Sequence, residues 1–201
     1  MIHAAEQDRP DVAARRTRWR VEQLHLDPKR LIFIDETWAK TNMTRLRGRA
    51  PRGERLIEKV SHGHWETTTL IAELGIEGMR CSTMVDGAVN GEVFTAFIEQ
   101  VLRPTLDRDQ IVIMDNLSAH KVRGVREAIE SVDASVVYLP PYSPDLNPIE
   151  LAFSKLKQLM RSCKHRLVEP LWRDVQRMLD AISPTDALHF YQHCGYAIQE
   201  K

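Results

Sequence analysis

Three acidic residues stand where a carboxylate needs a reason. Asp35 lies at the end of the apolar run RLIFIDE (30–36), and Asp115 closes QIVIMD (110–115). Both runs are short and continuously hydrophobic, the pattern of strands covered on both faces. An ionised carboxylate at the end of such a strand is costly unless a helix N-terminus, an arginine or a bound cation compensates it. Glu150 ends YLPPYSPDLNPIE (138–150), whose four prolines exclude regular structure up to the point where an apolar-periodic run begins. Two such strands side by side in one sheet would bring Asp35 and Asp115 to the same edge, and Glu150 could close a triangle over it. Three convergent carboxylates with no His or Cys among them select a hard, oxygen-preferring cation, Mg²⁺ or Mn²⁺ rather than Zn²⁺. Two such ions can hold the attacking and leaving oxygens of an in-line phosphoryl displacement.

Plainer readings compete: Asp35 could be an ordinary strand-end residue with Glu36 or Asp86 in its place in the site, and Glu150 could be a helix cap. Asn147, Pro148, Ile149 and Glu150 read as N-cap, N1, N2 and N3 of a helix, so Glu150 fits a capping box with Asn147. Asp86 precedes Gly87 in DGAVNG, where turn chemistry accounts for it. Glu36, adjacent to Asp35, points to the opposite face if the strand continues. The pairs His62/His64 and His189/His193, the latter beside Cys194, have zinc-compatible spacings, although lone pairs of this kind are more often structural.

The elements that must position these residues follow from pattern. Residues 11–24 read as a basic helix and 26–29 as a break, so 1–28 is expected to be a basic helical lead-in or linker and 29–201 the main domain. RLIEKV (55–60), ETTTLIAEL (66–74) and GMRCSTMV (78–85) are rich in β-formers, with the IEG turn suggesting a meander. Asn90 can cap a helix through GEVFTAFIEQVLRP. A helix over roughly 119–131 separates the 110–115 strand from SVVYL (135–139), and two or three helices follow the proline turn. An antiparallel three-strand meander leading into βαβαβ gives an α/β mixed sheet with two parallel strands and helices on both faces.

Net charge excludes little, because Lys plus Arg (28) equals Asp plus Glu (28), but its distribution is informative. Residues 40–59 hold seven bases against two acids, among them Arg45, Arg47, Arg49 and Arg52, and 155–177 hold seven against two. Residues 85–115 hold six acids against two bases. Basic flanks around an acidic middle suit a polyanion held beside a metal site, against the alternative of solvated helix faces. On the helix after Glu150, Lys157 and Arg161 fall on the glutamate's own side at +7 and +11, a cation row that a DNA strand could follow, and Lys155 adds to the basic cluster. Three scattered cysteines without a C-x-x-C pair argue for a reducing compartment. No apolar run reaches transmembrane length, and the N-terminus does not read as a signal peptide.

FIDETW, IVIMDNLSAHK and YLPPYSPDLNPIE, in that order, resemble the catalytic core of the DDE transposases, in particular the mariner-related branch of bacterial insertion sequences. Residues 116–149, 34 in all, separate Asp115 from Glu150, the spacing typical of that superfamily. The resemblance runs from about Pro28 to the end and includes LAFSKLK and the closing HCGY. It implies an RNase H-like fold with Asp35, Asp115 and Glu150 as the metal-binding triad, two Mg²⁺ or Mn²⁺ ions in the active complex, and Asn116, His120 and Asn147 in support. It further implies nicking of DNA at transposon ends, attack of the freed 3′-hydroxyl on TA-containing target DNA, a homodimer, and a cytoplasmic, nucleoid-associated bacterial protein. Members usually carry an N-terminal helix-turn-helix region, whereas only a short basic helix precedes Asp35, so end recognition is expected from a separate frame or to have been lost. Two other functions compete: a domesticated remnant that binds DNA without sequence preference, and a glycosidase with paired carboxylates. The four singly scattered tryptophans offer the glycosidase no sugar platform.

Overall fold

The computed structural model describes residues 4–45, 47–57, 59 and 64–197. In chain order the regular elements are α1 (Pro10–Glu22), β1 (Leu31–Lys40), β2 (Thr67–Gly75), β3 (Gly78–Asp86) and α2 (Gly91–Phe97), which continues into a π-turn over Ile98–Leu102. They continue with β4 (Ile111–Met114), α3 (Arg123–Glu130), β5 (Ser135–Tyr138), α4 (Pro148–Cys163), α5 (Val168–Asp180) and α6 (Pro184–His193). No helix among the described residues is long and apolar enough to cross a membrane.

The strands form one sheet in the order β3-β2-β1-β4-β5. β1 pairs antiparallel with β2 and parallel with β4, and β5 extends the parallel side. Central position explains the unbroken hydrophobicity of the first half of β1, residues 31–34. Leu31 and Phe33 face a core closed by α4, α5 and α6, while Ile32 and Ile34 face a second core closed by α2 and α3. The β1–β4 register ends by pairing Ile34 with Met114, so the next residue on each strand's path is an aspartate: Asp115 leaves the sheet there, whereas Asp35 does not end its strand as expected but stays in β1, opposite Ala72 of β2. The side chain of Asn90 accepts from Val93 N at 2.9 Å and starts α2 as its sequence indicates.

Two local readings are corrected. Residues 55–57 of RLIEKV are exposed coil within the long β1–β2 connection, while positions 58 and 60 lie outside the described residues. β-propensity alone does not make a strand without a partner edge and a core face. The capping box at Asn147 is also absent: the Asn147 side chain caps nothing, and only its backbone carbonyl receives Glu150 N, at 3.2 Å.

The basic lead-in is helix α1, and it docks on the body through Val12, Arg16 and Trp19, all buried. Trp19 Nε1 donates to Tyr196 Oη at 3.3 Å, and Gln23 Nε2 donates to Cys194 O at 3.1 Å, so α1 lies against the HCGY segment. Tyr191 and Tyr196 each meet Phe33 edge-on with ring centroids 5.2 Å apart, and Tyr191 Oη donates to Leu31 O at 2.9 Å. Phe33 is thus the packing centre beneath the aspartate edge. Phe33→Ala should cost about 3–5 kcal/mol in urea unfolding. A loss below about 1 kcal/mol would contradict this packing.

Candidate active site

Asp35 and Asp115 meet Glu150 in a cleft of about 400 Å³ whose wall is the proline turn, with Pro140, Pro141, Tyr142, Ser143 and Pro144 among its lining. Asp35 is 7% exposed, and both its oxygens accept from neutral donors. Glu36 N reaches Oδ1 at 2.8 Å and Asn147 Nδ2 reaches Oδ2 at 2.9 Å. Asn147 therefore holds a site carboxylate in place instead of capping its own helix, and its buried Oδ1 has no hydrogen-bond partner. Burial, with Asp115 and Glu150 adding like charge, pushes the Asp35 carboxyl up to about 8. Burial and Asp115 raise the Glu150 carboxyl as well, against the opposing pull of Lys157.

Asp115 is fixed through one oxygen. Its Oδ1 accepts from Leu117 N at 2.9 Å and lies 2.7 Å from His120 Nδ1, in ion-pair contact. On the other side of the ring, Nε2 reaches Glu36 at 2.8 Å and 3.0 Å. His120 is fully buried and stacks over Phe94 with centroids 4.2 Å apart. Its burial opposes charge, but the carboxylates of Asp115 and Glu36 prevail and raise it to about 10. Glu36 does face away from Asp35, and there it orients His120 and through it Asp115. Sequence reading missed that role, although the acid one residue after Asp35, on the opposite face, was the available signal. Asn116 lines the cleft.

The donor set fits a divalent cation: three carboxylates from three elements, one held by neutral donors alone, beside an unpartnered amide oxygen. The zinc-compatible pairs do not assemble a site. His189 and His193 are exposed, and His62 lies outside the described residues. Cys163, His165 and Asp174 do place ligand atoms within 4.8 Å of one another. Asp174, however, is already paired with His165 at 2.8 Å and Arg177 at 3.1 Å.

The profile described as "DDE superfamily endonuclease" matches residues 30–172, which span all three carboxylates. The chain belongs to this family. No curated protein matches it by sequence. Among solved structures, a mariner Mos1 paired-end complex with Mg superposes with a TM-score of 0.76 at 16% identity, covering 96% of this chain and 63% of that one. A Mos1 transposase paired-end complex with left transposon end gives 0.74 at 16%, over 97% of this chain and 62% of that one. The catalytic domain of Mos1 mariner transposase gives 0.64 at 15%, over 99% and 100%. The fold is RNase H-like, as the resemblance implies, and its mixed sheet agrees with the element order. The chain spans 62% of the length of the Mos1 chain in the paired-end complex.

Within this DDE endonuclease domain the expected DNA-binding residues are placed unequally. Lys157 and Arg161 are half-buried along α4 beyond Glu150, and Lys157 Nζ sits over the Trp38 ring at 4.6 Å. Lys155 instead pairs with Asp186 of α6 at 2.6 Å, away from the row. Arg45, Arg47, Arg49 and Arg52 are exposed on the β1–β2 connection.

The raised carboxyl sets the sign of a pH effect. Asp35 moves from 3.8 to about 8, so between these values the folded, metal-free chain holds a proton that the unfolded chain has released. Stability therefore falls as pH rises through this window. His120, moving from 6.5 to about 10, extends the loss upward. A divalent cation relieves the carboxylate repulsion only once the proton has gone. The rise in Tm produced by millimolar Mn²⁺ should therefore grow between about pH 6 and about pH 8.5. Asp35→Asn should remove most of it, whereas an equal rise at both pH values in the wild type would refute the coupling.

Proposed function

We propose that residues 29–201 are the catalytic domain of a DNA transposase that hydrolyses phosphodiesters at the ends of an insertion sequence and transfers the freed 3′ end into target DNA. Asp35, Asp115 and Glu150 are the ligands of Mg²⁺ or Mn²⁺, two ions in the active complex. The supporting observation is that Asp35, buried among like charges, has only neutral donors on its oxygens. A carboxylate so placed is suited to a cation from solution. On this reading the partners are transposon ends and TA-containing target DNA, the active form is a homodimer, and the enzyme works beside the bacterial nucleoid.

When bound, the cations supply charge neutralisation and activation of water for in-line displacement. The chain's own residues do the positioning. Asn147 turns Asp35 toward the cleft, and Leu117 N with His120 engages Oδ1 of Asp115, leaving Oδ2 without a hydrogen bond among the described residues. The start of α4 sets Glu150 at the cleft rim, with Lys157 and Arg161 leading away from it toward the phosphate backbone. Burial lowers the affinity of Lys157 for its proton, while Glu150 pulls the other way.

Glu150→Gln separates ligand from helix residue. The Glu150 side chain makes no capping bond, so stability should change by about 1 kcal/mol or less in urea unfolding. Mg²⁺-dependent nicking of supercoiled plasmid should nevertheless disappear. Nicking at the wild-type rate would remove Glu150 from the site.

The cation row makes its own prediction. Lys157→Ala with Arg161→Ala should flatten the slope of log K against log salt by about 0.9 for each phosphate no longer neutralised, one or two phosphates in all. An unaltered slope would return both residues to a solvated helix face.

A further inference from the structure

Asn147 and Glu150 are only as well placed as the turn before them, and that turn is held from outside. Prolines at 140, 141, 144 and 148 restrict φ at four positions but leave Tyr142 free. Tyr142 is the residue in the left-handed region, at φ 54, and Ser143 follows at φ −123, ψ 52, outside the regular basins. A bulky side chain at positive φ persists only where its surroundings impose it.

What surrounds it is helix α1. Arg16 Nη1 donates to Ser143 Oγ at 2.7 Å, to Asp145 Oδ1 at 2.9 Å and to Tyr142 O at 3.3 Å, while Nη2 reaches Asp145 Oδ2 at 2.7 Å. The guanidinium thus forks onto the carboxylate and also binds the strained peptide. Gln7 Nε2, just ahead of α1, donates to the same Tyr142 carbonyl at 2.7 Å. The far end of the turn is tied to α1 as well: Tyr196 Oη donates to Leu146 O at 2.9 Å and accepts from Trp19 Nε1 at 3.3 Å. Leu146 immediately precedes Asn147.

The Arg16 side chain is 8% exposed. The Asp145 side chain is 33% exposed, so the pair is only partly buried, and such a pair contributes little net stability because desolvation and screening offset its attraction. A planar fork with several acceptors in fixed directions does impose a conformation.

We propose that Arg16 is a positioning residue of the metal site: α1 braces the proline turn and so sets where Asn147 and Glu150 stand against Asp35 and Asp115. This rests on the reading of those carboxylates as metal ligands. Arg16 touches neither metal nor DNA in this role. It acts through Ser143 and Asp145 on the residues that follow them.

The test is Mn²⁺ binding by electron paramagnetic resonance on the full chain without DNA, paired with plasmid nicking as a function of Mn²⁺. Arg16→Gln should raise the half-saturating Mn²⁺ concentration and lower the nicking rate about tenfold each, as loss of an outer support does in metal sites, with apparent KM for DNA unchanged within about twofold. Arg18→Ala, which removes an exposed cation from the same helix, should alter neither. Asp145→Asn should reproduce the Arg16→Gln effect, and the double variant should be no worse than either alone. Should Arg16→Gln fail to fold, Asp145→Asn carries the test, since it breaks the two-bond fork onto the carboxylate without removing the buried guanidinium. Folded variants with wild-type Mn²⁺ saturation would overturn the brace while leaving the site reading intact. A wild-type chain with no saturable Mn²⁺ binding would overturn that reading and the brace with it.

Discussion

Repulsion among three carboxylates at the end of a buried parallel strand pair is the constraint around which this fold is arranged. The β1–β4 register delivers Asp35 and Asp115 to one edge, and the start of α4 brings Glu150 over them. Nothing in the hydrophobic core requires this: an apolar residue at the buried position 35 would avoid the desolvation of a carboxylate. The surrounding structure therefore tolerates a destabilised edge. It does so with a large aromatic and aliphatic core beneath, centred on Phe33, and with a turn whose backbone is fixed at several points.

The residues around the carboxylates divide by the face of β1 they occupy. On the α4 side, Asn147 holds Asp35. On the α2 side, Glu36 holds His120, whose other nitrogen meets Asp115. Adjacent residues on one strand thus serve the same site through opposite faces, because the pleat sends successive side chains in opposite directions. His120 bridges two acids that would otherwise repel each other, and through its contact with Oδ1 it helps to orient Asp115.

Much of this was legible in the sequence. The two apolar runs that reach an aspartate, the helix capped by Asn90, and the apolar-periodic run that becomes α4 all follow from local pattern. What local pattern missed were long-range exchanges of hydrogen bonds. Asn147 matches a capping box by spacing, yet its amide goes to Asp35, 112 positions away in sequence. Lys155 reads as one more basic residue of α4, yet Asp186 claims it. Arg16 reads as one charge in a basic helix, and only the folded chain brings the turn at 142–145 to it. In each case a residue with a competent local role has a tertiary partner that sequence spacing does not encode.

The central claim is that Asp35, Asp115 and Glu150 jointly hold a divalent cation. Anomalous diffraction from a crystal of the chain soaked in Mn²⁺ above pH 8 tests it most directly, because manganese is located without reference to activity. The account predicts a peak bounded by these three carboxylates, lost in Asp35→Asn. A well-diffracting soaked crystal with no manganese there, or with manganese only at Cys163, His165 and Asp174, would contradict it.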